Sequence, residues 1–281
     1  MLSLNCKGKL ISLDQPLVMG VLNITEDSFY PGSRFGDLET IALEVEKMRE
    51  AGAAIIDIGG QSTRPGSDRV TADQEMERVL PVLEMLSDRY PELVMSIDTF
   101  YASVARSAVA AGAAIVNDIS AGDMDPEMIP TVAGLGVPYV CMHMQGVPET
   151  MHVHPHYDQI VAEVLDYFIR KIYQCRLAGI KDIIVDPGFG FGKTIADNFT
   201  LLKGMSVLQM LSKPVLAGLS RKSSIYKTLQ TTPENALNGT TVLNTLALQN
   251  GAVILRVHDV REARETVVLC EAFAETKTPV L

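Results

Sequence analysis

AGAAIIDIGG (51–60) and AGAAIVNDIS (111–120) are near copies of each other, and this repeated unit decides the fold. Each copy passes from the end of a helical segment through a glycine into an apolar run that stops at Asp or Asn. LAGIKDIIVD (177–186) and QNGAVILRV (249–257) follow the same plan. A continuous apolar run is typical of a strand buried on both faces, and the preceding glycine ends a helix in a left-handed conformation. The sequence therefore predicts alternating helices and parallel strands.

The unit recurs often enough to close a barrel. Strands are predicted to begin near eight positions, namely Val18, Ala54, Leu93, Ala114, Pro138, Asp182, Pro214 and Ala252. Amphipathic segments at 76–86 and 160–172 follow the 3.6-residue period of helices between them. A doubly wound open sheet is the alternative, but the first strand is not followed by a GxGxxG turn. We therefore expect an α/β protein that is one (β/α)8 TIM barrel over residues 1–281, with residues 1–17 as an N-terminal hairpin plugging the barrel base.

Composition excludes several kinds of partner. The net charge is −10 and no basic stripe is present, so we expect no nucleic-acid partner. The 128–148 stretch has no Asp, Glu, Lys or Arg, but prolines and glycines interrupt it, so we expect no membrane span. The first ten residues lack an apolar leader, and the four scattered cysteines include no CxxC pair. These features predict a soluble cytoplasmic protein with reduced thiols.

Polar residues end most of the predicted strands, and a barrel brings such ends together at one rim. The strand ends carry Asn23, Asp57, Asp98, Asn117, Asp118, His143, Asp186, Arg256 and His258. Six of them have a structural alternative. Asp98, Asn117, Asp118 and Asp186 could cap turns, and Arg256 and His258 could form surface pairs with Asp259 or Glu262. Because they come from separate strands, a shared ligand site accounts for them better together than one by one.

Three loops after these strands are candidates for covering a ligand. DIIVDPGFGFGKT (182–194) is not a phosphate-binding loop, because Pro187 stands where that motif needs glycine. Its glycines would instead let Phe191 close over a flat ring, although a glycine loop with a core Phe is the alternative. NITEDSFYPGSRF (23–35), which contains Phe29, and IGGQSTRPGS (58–67) have the composition of mobile covering loops.

Two further segments carry candidate ligands for an anion or a metal. LAGLSRKSSI (216–225) places Lys222 in a loop, predicted to be exposed, after the seventh strand, where such barrels commonly bind phosphate. His152, His154 and His156 alternate, but no acidic or cysteine partner lies at ligand spacing. The sequence does not favour a metal there, and whether these histidines bind anything stays open.

Eight motifs in this order resemble the dihydropteroate synthase family across residues 18–260. They are GVLNITEDSF, DIGGQSTRPG, SIDT, NDIS, MHMQG, DPGFGFGK, GLSRKS and RVHDV. The family condenses a dihydropterin methyl diphosphate with 4-aminobenzoate to dihydropteroate and pyrophosphate in folate synthesis. The resemblance implies a Mg²⁺-assisted, dissociative transferase that is a target of sulfonamides and a homodimer through outer helices.

The resemblance also implies roles for matching residues. The dihydropterin would be bound by Asp98, Asn117 and Asp186 and by Lys222, while Asn23 would bind Mg²⁺. Arg256, His258 and neighbouring backbone would hold the diphosphate, with Lys222, Arg256 and His258 as the catalytic group. Thr63, Arg64, Pro65, Phe29, Phe191 and Ser223 would shape the aminobenzoate site. Met142, Gly218 and Val257 complete the implied substrate-binding set.

Departures and rivals bear on that interpretation. Glu26 stands where the family usually has Pro, Pro31 where it has Asp, and Gln61 where it has Glu. The first two changes put a second loop carboxylate in doubt, although Asp27 remains. A pterin-binding methyltransferase serving a corrinoid protein would not need the cluster of Arg221, Lys222, Arg256 and His258. A silent pterin-binding scaffold would have lost metal or diphosphate positions, and a Schiff-base lyase barrel would place a lysine on a strand end.

Overall fold

The computed structural model describes residues 2–24, 34–61, 69–148, 151 and 155–276. A short antiparallel hairpin is formed by β1 (Ser3–Cys6) and β2 (Lys9–Ser12). The remaining strands are β3 (Leu17–Asn23), β4 (Ile55–Gly59), β5 (Val94–Asp98), β6 (Ile115–Asp118), β7 (Tyr139–Met142), β8 (Ile183–Asp186), β9 (Leu216–Ala217) and β10 (Ile254–Val257). Every predicted strand start lies within two residues of an observed one, because long apolar runs between glycines mark buried strands clearly.

Helices follow the barrel strands. They are α1 (Arg34–Glu50), α2 (Ala72–Arg89), α3 (Ala102–Ala110), α4 (Met128–Leu135), α5 (Ile160–Ala178), α6 (Ile195–Gly204), α7 (Ser223–Tyr226), α8 (Leu237–Gln249) and α9 (Val260–Glu275). The predicted amphipathic segments fall within α2 and α5. A 3-10 helix (Met205–Leu211) follows α6.

The eight parallel strands close into a barrel. They are paired in the order β8-β7-β6-β5-β4-β3-β10-β9. The two ends of this order meet where Val185 and Val215 form a parallel bridge and the Val185 amide donates to Pro214 O at 2.9 Å. The predicted (β/α)8 barrel is therefore confirmed, and the open-sheet alternative is wrong.

The glycines that end helices are used as the repeat predicts. Gly112 has φ +121°, and a Cβ there would lie 2.7 Å from Ser87 Oγ on α2. Both the positive φ and the close approach require glycine at this position. The chain can therefore turn from α3 into β6 without moving the neighbouring helix.

The base of the barrel is apolar and covered by the hairpin. Each barrel strand contributes one residue to a buried cluster that contains Met19, Ile55, Val94, Ile115, Val140, Ile184, Leu216 and Ile254. Leu4 and Cys6 of β1 and Leu13 pack into the same cluster. Asn5 N donates to Asp182 Oδ2 at 3.0 Å, which ties the hairpin to the segment before β8. The hairpin therefore lies across the amino ends of the strands.

Most of the polar inward-facing residues lie towards the carboxyl ends of the strands. Inward-facing residues repeat every second position along a strand. We call the buried cluster at the amino ends the base cluster. Two residues after each of its eight barrel-strand members lie Val21, Asp57, Ser96, Asn117, Met142, Asp186, Gly218 and Arg256. We call this set the polar layer, because five of its eight members have polar or charged side chains. None of the helices within the described ranges has the length and apolarity needed to span a membrane.

Candidate active site

Strand register aligns the polar strand ends on neighbouring strands. Asn23 of β3 is paired with Gly59 of β4, Gly59 with Asp98 of β5, and Asp98 with Asn117 of β6. A Cβ on Gly59 would lie 3.5 Å from Asp98 Cβ and 3.8 Å from Asn23 Oδ1. The absence of a side chain at Gly59 therefore leaves the Asn23 amide and the Asp98 carboxylate facing the same space.

Arg256 joins three strands through a network of charged hydrogen bonds. Its Nε donates to Asp57 Oδ2 at 2.6 Å, and its Nη2 donates to Asp98 Oδ2 at 2.6 Å. Asn117 Nδ2 donates to the same Asp57 oxygen at 2.9 Å. The Asp57 side chain is completely buried and that of Arg256 is 21% exposed. The predicted surface pairing of Arg256 with Asp259 or Glu262 is therefore wrong.

Asp186 and Lys222 face Arg256 across Gly218. A Cβ on Gly218 would lie 3.7 Å from Lys222 Nζ, 3.9 Å from Arg256 Cβ and 4.0 Å from Asp186 Oδ2. Asp186 Oδ1 accepts from Gly188 N at 2.7 Å, and Lys222 Nζ donates to Phe189 O. Asp186 thus caps a turn with one oxygen and presents the other to the site.

Lys222 is more enclosed than the sequence suggested. We expected an exposed loop, but the residue is half-buried at the start of α7, and its ammonium contacts the Phe191 ring at 4.8 Å from the ring centre. Burial lowers the pKa of Lys222 to about 8, against the attraction of Asp186. The expectation of exposure is wrong because the side chain extends into the polar layer from a loop.

Burial affects the pKa values of the two acidic side chains nearest Arg256 and Lys222, which are Asp98 and Asp186. It raises the pKa of Asp98 above its usual range, and Arg256 opposes this rise while Asp57 adds to it. It raises the pKa of Asp186 in the same way, and Lys222 opposes that rise. The cations therefore keep the buried carboxylates available as hydrogen-bond acceptors.

An apolar cluster lies beside these charges at the same end of the barrel. Met142, Phe100 and Ile119 are buried together, and Phe191 packs against them. Met142 is paired with Asp186 in the β7–β8 ladder. Sequence reasoning missed Phe100 and Ile119, although each follows a polar strand end by one or two residues. The arrangement offers a flat apolar surface next to hydrogen-bonding groups, as a heterocycle requires.

The glycine-rich loop is held by the buried Lys193. Its Nζ donates to Gly188 O at 2.9 Å and Phe191 O at 3.0 Å, and lies 2.9 Å from His143 Nδ1. Phe189 of this loop is fully buried, so the core-Phe alternative holds for Phe189, while Phe191 is partly exposed. Lys193 therefore fixes the backbone that carries Phe191.

The remaining predicted residues at the last two strands lie near this group. His258 is exposed at the rim, and its Nδ1 atom lies 3.0 Å from Ser220 Oγ. The residue that precedes it, Val257, is buried. Desolvation of the ring and the nearby Arg256 lower the pKa of His258 to about 4, so the ring is neutral at pH 7. Ser223 is half-buried at the first position of α7.

Two residues of the predicted polar groups are structural. Arg221 pairs with Asp259, through Nε–Oδ2 at 2.9 Å and Nη2–Oδ1 at 2.7 Å, so it does not join the cation cluster expected from sequence. Asp118 accepts from Tyr139 Oη and from the amides of Ser120 and Gly122, each at 2.7 Å. For Asp118 the turn-capping alternative is therefore correct.

Sequence reasoning also missed a residue. Asp57 was recognised as a strand end but received no role, and its contacts with Arg256 and Asn117 depend on strands far apart in sequence. The only available signal was its place in the same repeat as Asn117.

Some predicted residues lie outside the described part of the chain. These are Thr63, Arg64, Pro65, Phe29, Glu26, Asp27, Pro31, His152 and His154. His156 lies within it and is 3.2 Å from Asp158 Oδ1. In the ranges that the structure describes, no three His, Cys, Asp or Glu side chains are grouped as metal ligands.

Comparison with known proteins identifies the family. A model of pterin binding enzymes matches residues 19–258. Dihydropteroate synthase of Escherichia coli K12 is 40% identical over 278 residues, which is 98% of each chain. The chain belongs to the dihydropteroate synthase family. Because dihydropteroate synthases are transferases, the expected enzyme class is confirmed together with the family.

Solved structures support the same conclusion. Xanthomonas albilineans dihydropteroate synthase with 4-aminobenzoic acid has a TM-score of 0.90 and 42% identity, covering 98% of this chain and 99% of that one. The same enzyme in complex with 7,8-dihydropteroate has a TM-score of 0.87 and 40% identity, with 98% and 100% covered. The dihydropteroate synthase barrel is therefore shared over nearly the whole chain.

Proposed function

We propose that the protein condenses (7,8-dihydropterin-6-yl)methyl diphosphate with 4-aminobenzoate, which yields 7,8-dihydropteroate and pyrophosphate for folate synthesis. The observation that carries the proposal is the convergence of Asp98, Asn117, Asp186, Lys222 and Arg256 around Gly59 and Gly218. Carboxylates, an amide and cations from separate strands meet beside an apolar cluster. Such a site can recognise both edges of a flat heterocycle.

The dihydropterin would lie between the apolar cluster and the carboxylates. Ionised Asp98 and Asp186 each accept from N–H groups of the ring, and Asn117 can both donate and accept. Lys222 would donate to acceptor atoms of the ring while Asp186 holds it nearby. Met142 and Gly218 leave this space free of further charge, whereas the Val257 side chain faces away from it and is buried in the core under the helices.

The diphosphate would be bound where β10 ends. Arg256 uses Nε and Nη2 for Asp57 and Asp98, and a guanidinium carries five N–H donors in total, so it can still donate to phosphate oxygens. His258 stands exposed at the rim two residues further on. Arg256 thus links the carboxylate that recognises the ring to the group that leaves.

Asn23 fits a Mg²⁺ site. Its exposed amide oxygen lies 3.8 Å from the Cβ position of Gly59, and Mg²⁺ prefers oxygen ligands shared with water and phosphate. When bound, Mg²⁺ would neutralise charge on the diphosphate oxygens. One protein ligand is enough for such a site because water and diphosphate supply the others.

We propose a dissociative order of bond changes. The C–O bond to the diphosphate breaks first, and Arg256 with Lys222 stabilises the negative charge that accumulates on the leaving pyrophosphate. The electron-rich dihydropterin delocalises the resulting cation, and the carboxylates of Asp98 and Asp186 favour positive charge nearby. The arylamine then attacks the methylene carbon and loses a proton. Because an arylamine is uncharged at neutral pH, no strong general base is required.

Aminobenzoate would bind at the outer edge of the site. Phe191 packs on the apolar cluster and contacts Lys222, so its ring borders the space above the dihydropterin. Ser223 follows Lys222 at the start of α7. We assign Thr63, Arg64, Pro65 and Phe29 to this subsite on the resemblance, and sulfonamides should compete for it.

The cellular setting and assembly complete the proposal. We propose a cytoplasmic protein, based on its four scattered cysteines, and a homodimer. Exposed apolar residues on adjacent outer helices support the dimer, namely Val242 and Leu246 on α8 and Leu269 and Phe273 on α9. Light scattering should give twice the mass of the 281-residue chain.

Pyrophosphate release by the purified chain tests the reaction. We expect release from the dihydropterin diphosphate that requires Mg²⁺ and accelerates with 4-aminobenzoate. Asn23→Ala should raise the Mg²⁺ concentration needed for half-maximal rate by at least about tenfold, because it removes the protein ligand itself and even the loss of an outer-shell partner costs ~10–100-fold in metal affinity.

The exposed Glu77→Gln variant on α2 is the matched control and should retain the wild-type Mg²⁺ dependence. Release that a chelator leaves unchanged, or turnover that needs a methyl donor, would contradict the proposal.

A further inference from the structure

Glu75 is a buried acid that the proposed chemistry does not use. It lies in the first turn of α2 and is completely buried. Thr71 and Gln74 form a capping box that fixes this turn, with Thr71 N donating to Gln74 Oε1 at 2.9 Å. A Cβ on Gly60 would lie 2.9 Å from Glu75 Cγ, so the end of β4 passes directly over this side chain. The fold therefore holds Glu75 underneath the active-site end of the barrel.

Glu75 lines a small cavity below the active-site end of the barrel. The cavity has a volume of about 10 Å³ and is lined by Gln61, Glu75, Asp98, Thr99, Phe100 and Ile119. Among the described residues, both carboxyl oxygens of Glu75 and the Oε1 atom of Gln61 are buried without a hydrogen-bond partner. A cavity of ~10–15 Å³ holds one water molecule when two to four polar groups face it. The cavity reaches the lower end of that range, and the carboxyl oxygens of Glu75 and the amide oxygen of Gln61 are the polar groups beside it.

Its surroundings favour a proton on Glu75. Among the residues that the structure describes, the charged groups that face Glu75 are Asp98 from β5 and Arg78 from its own helix, and the other residues lining the cavity carry no charge. Burial raises the pKa of Glu75 to about 8 and Asp98 adds to the rise, while Arg78 and the nearby Thr99 hydroxyl, which falls outside hydrogen-bonding geometry, offset part of it. Asp98 has the Arg256 guanidinium at 2.6 Å, so of the two acids Asp98 is the one that stays ionised.

We propose that Glu75 is a protonated positioning residue that holds Asp98 in place through one water molecule bound in this cavity. The water donates to Asp98 and accepts from the Glu75 hydroxyl, and Gln61 supplies a further amide partner. Arg256 then fixes Asp98 from the barrel interior, and the water fixes it from the side of α2.

This inference rests on the proposed function only in assigning dihydropterin to Asp98. Gln61 contributes to the same arrangement of Glu75, water and Asp98, because its amide carries no charge at any pH. A carboxylate at position 61 would place a third acidic group on the cavity. In this chain one proton on Glu75 suffices to keep the cavity free of repulsion between neighbouring carboxylates.

Stability against pH tests the proton without any substrate. The folded-state pKa lies above the unfolded value of 4.5, so this group stabilises the fold below pH 4.5, and that stability is lost as pH rises towards about 8. Glu75→Gln removes this dependence. The melting temperature of Glu75→Gln minus that of the wild type should therefore increase by at least about 3 °C from pH 5 to pH 8. Glu77→Gln, exposed on the same helix, should run parallel to the wild type.

Substrate constants test the positioning. Glu75→Met fills the cavity with an apolar group and should raise KM for the dihydropterin substrate at least about tenfold, whereas KM for 4-aminobenzoate stays within about twofold. Glu75→Gln keeps a neutral hydrogen-bonding side chain and should raise KM for the dihydropterin by no more than about threefold.

Each outcome decides a separate question. If the melting temperatures of the wild type and Glu75→Gln changed equally with pH, Glu75 would not be protonated as proposed. Equal increases in both KM values, or no increase in Glu75→Met, would overturn the positioning role. If the protein failed to use a dihydropterin at all, the proposed function would fail, yet the melting experiment would still report the proton on Glu75.

Discussion

The two ends of the barrel are built by the same strands, two residues apart. On β10 the base cluster receives Ile254 and the polar layer receives Arg256. On β4 the corresponding pair is Ile55 and Asp57, and on β8 it is Ile184 and Asp186. At the base each side chain is stabilised by burial alone. In the polar layer each charge needs a partner from another strand to offset its desolvation.

The residues that mainly stabilise the barrel and those of the candidate site lie at opposite ends of the same strands. The base cluster is continuous and covered by Leu4 and Cys6, so its residues have no route to a ligand. Arg256 of the polar layer and Lys222 from the loop before α7 hold the acidic side chains of the site, and burial raises the pKa values of both Asp98, at the end of β5, and Asp186. Such groups destabilise the fold unless paired, which is typical of a functional site.

Arg256→Met should have the largest effect, because it breaks the polar layer at its centre. Asp57 and Asp98 would lose their cation, and removing one partner of a buried pair costs ~3–5 kcal/mol. We expect that loss in urea unfolding and at least about a thousandfold lower kcat/KM for pyrophosphate release, since binding and leaving-group stabilisation are both lost.

Arg261→Met on the exposed face of α9 is the matched control and should change neither quantity. A stable, active Arg256→Met protein would show that the network is dispensable.

Leu4→Ala should affect the base alone. Truncating a buried leucine costs ~2–5 kcal/mol, and we expect that loss in urea unfolding. Both KM values of the folded enzyme should stay within about twofold, because the hairpin lies at the opposite end from the site. Leu10→Ala in the same hairpin, where the side chain is 72% exposed, should be nearly neutral. A selective change in substrate KM in Leu4→Ala would show that the two ends are coupled.

Lys222→Ala should change stability least and activity clearly. A hydrogen bond to a charged group contributes ~1.5–3 kcal/mol, so kcat/KM should fall about 10–100-fold while the protein stays folded. The folded-state pKa of Lys222 is about 8, below its unfolded value of 10.5, so the penalty for its charge is present below pH 8. Wild-type stability should therefore rise relative to Lys222→Ala between pH 8 and 10.5. The absence of that rise in melting curves would contradict the enclosed position of Lys222.

Local patterns were enough to predict the barrel and many of its polar strand ends. A strand buried on both faces needs an unbroken apolar run, and glycine must end the preceding helix, so 51–60 and 111–120 reveal their structure without knowledge of their neighbours. Asp98, Asn117 and Asp186 are visible for the same reason, as polar residues that interrupt such runs.

Partnerships between strands could not be predicted this way. Arg256 was assigned surface acids as an alternative, whereas its partners Asp57 and Asp98 are 199 and 158 residues away in sequence. Arg221 was counted among the site cations, but it pairs with Asp259 across the loops that follow β9 and β10. The burial of Glu75 has no signal in the sequence, because it depends on the close approach of Gly60 and of residues from other strands.

The sequence by itself determined which segments form strands, which residues end them, and to which family the chain belongs, because these depend on composition and order along the chain. Tertiary structure decided which polar ends converge on one space, which become turn caps, and which acidic side chains are buried. The physical reason is that hydrogen bonds and pKa shifts depend on distances of a few ångströms between strands. Those distances exist only once the barrel has closed.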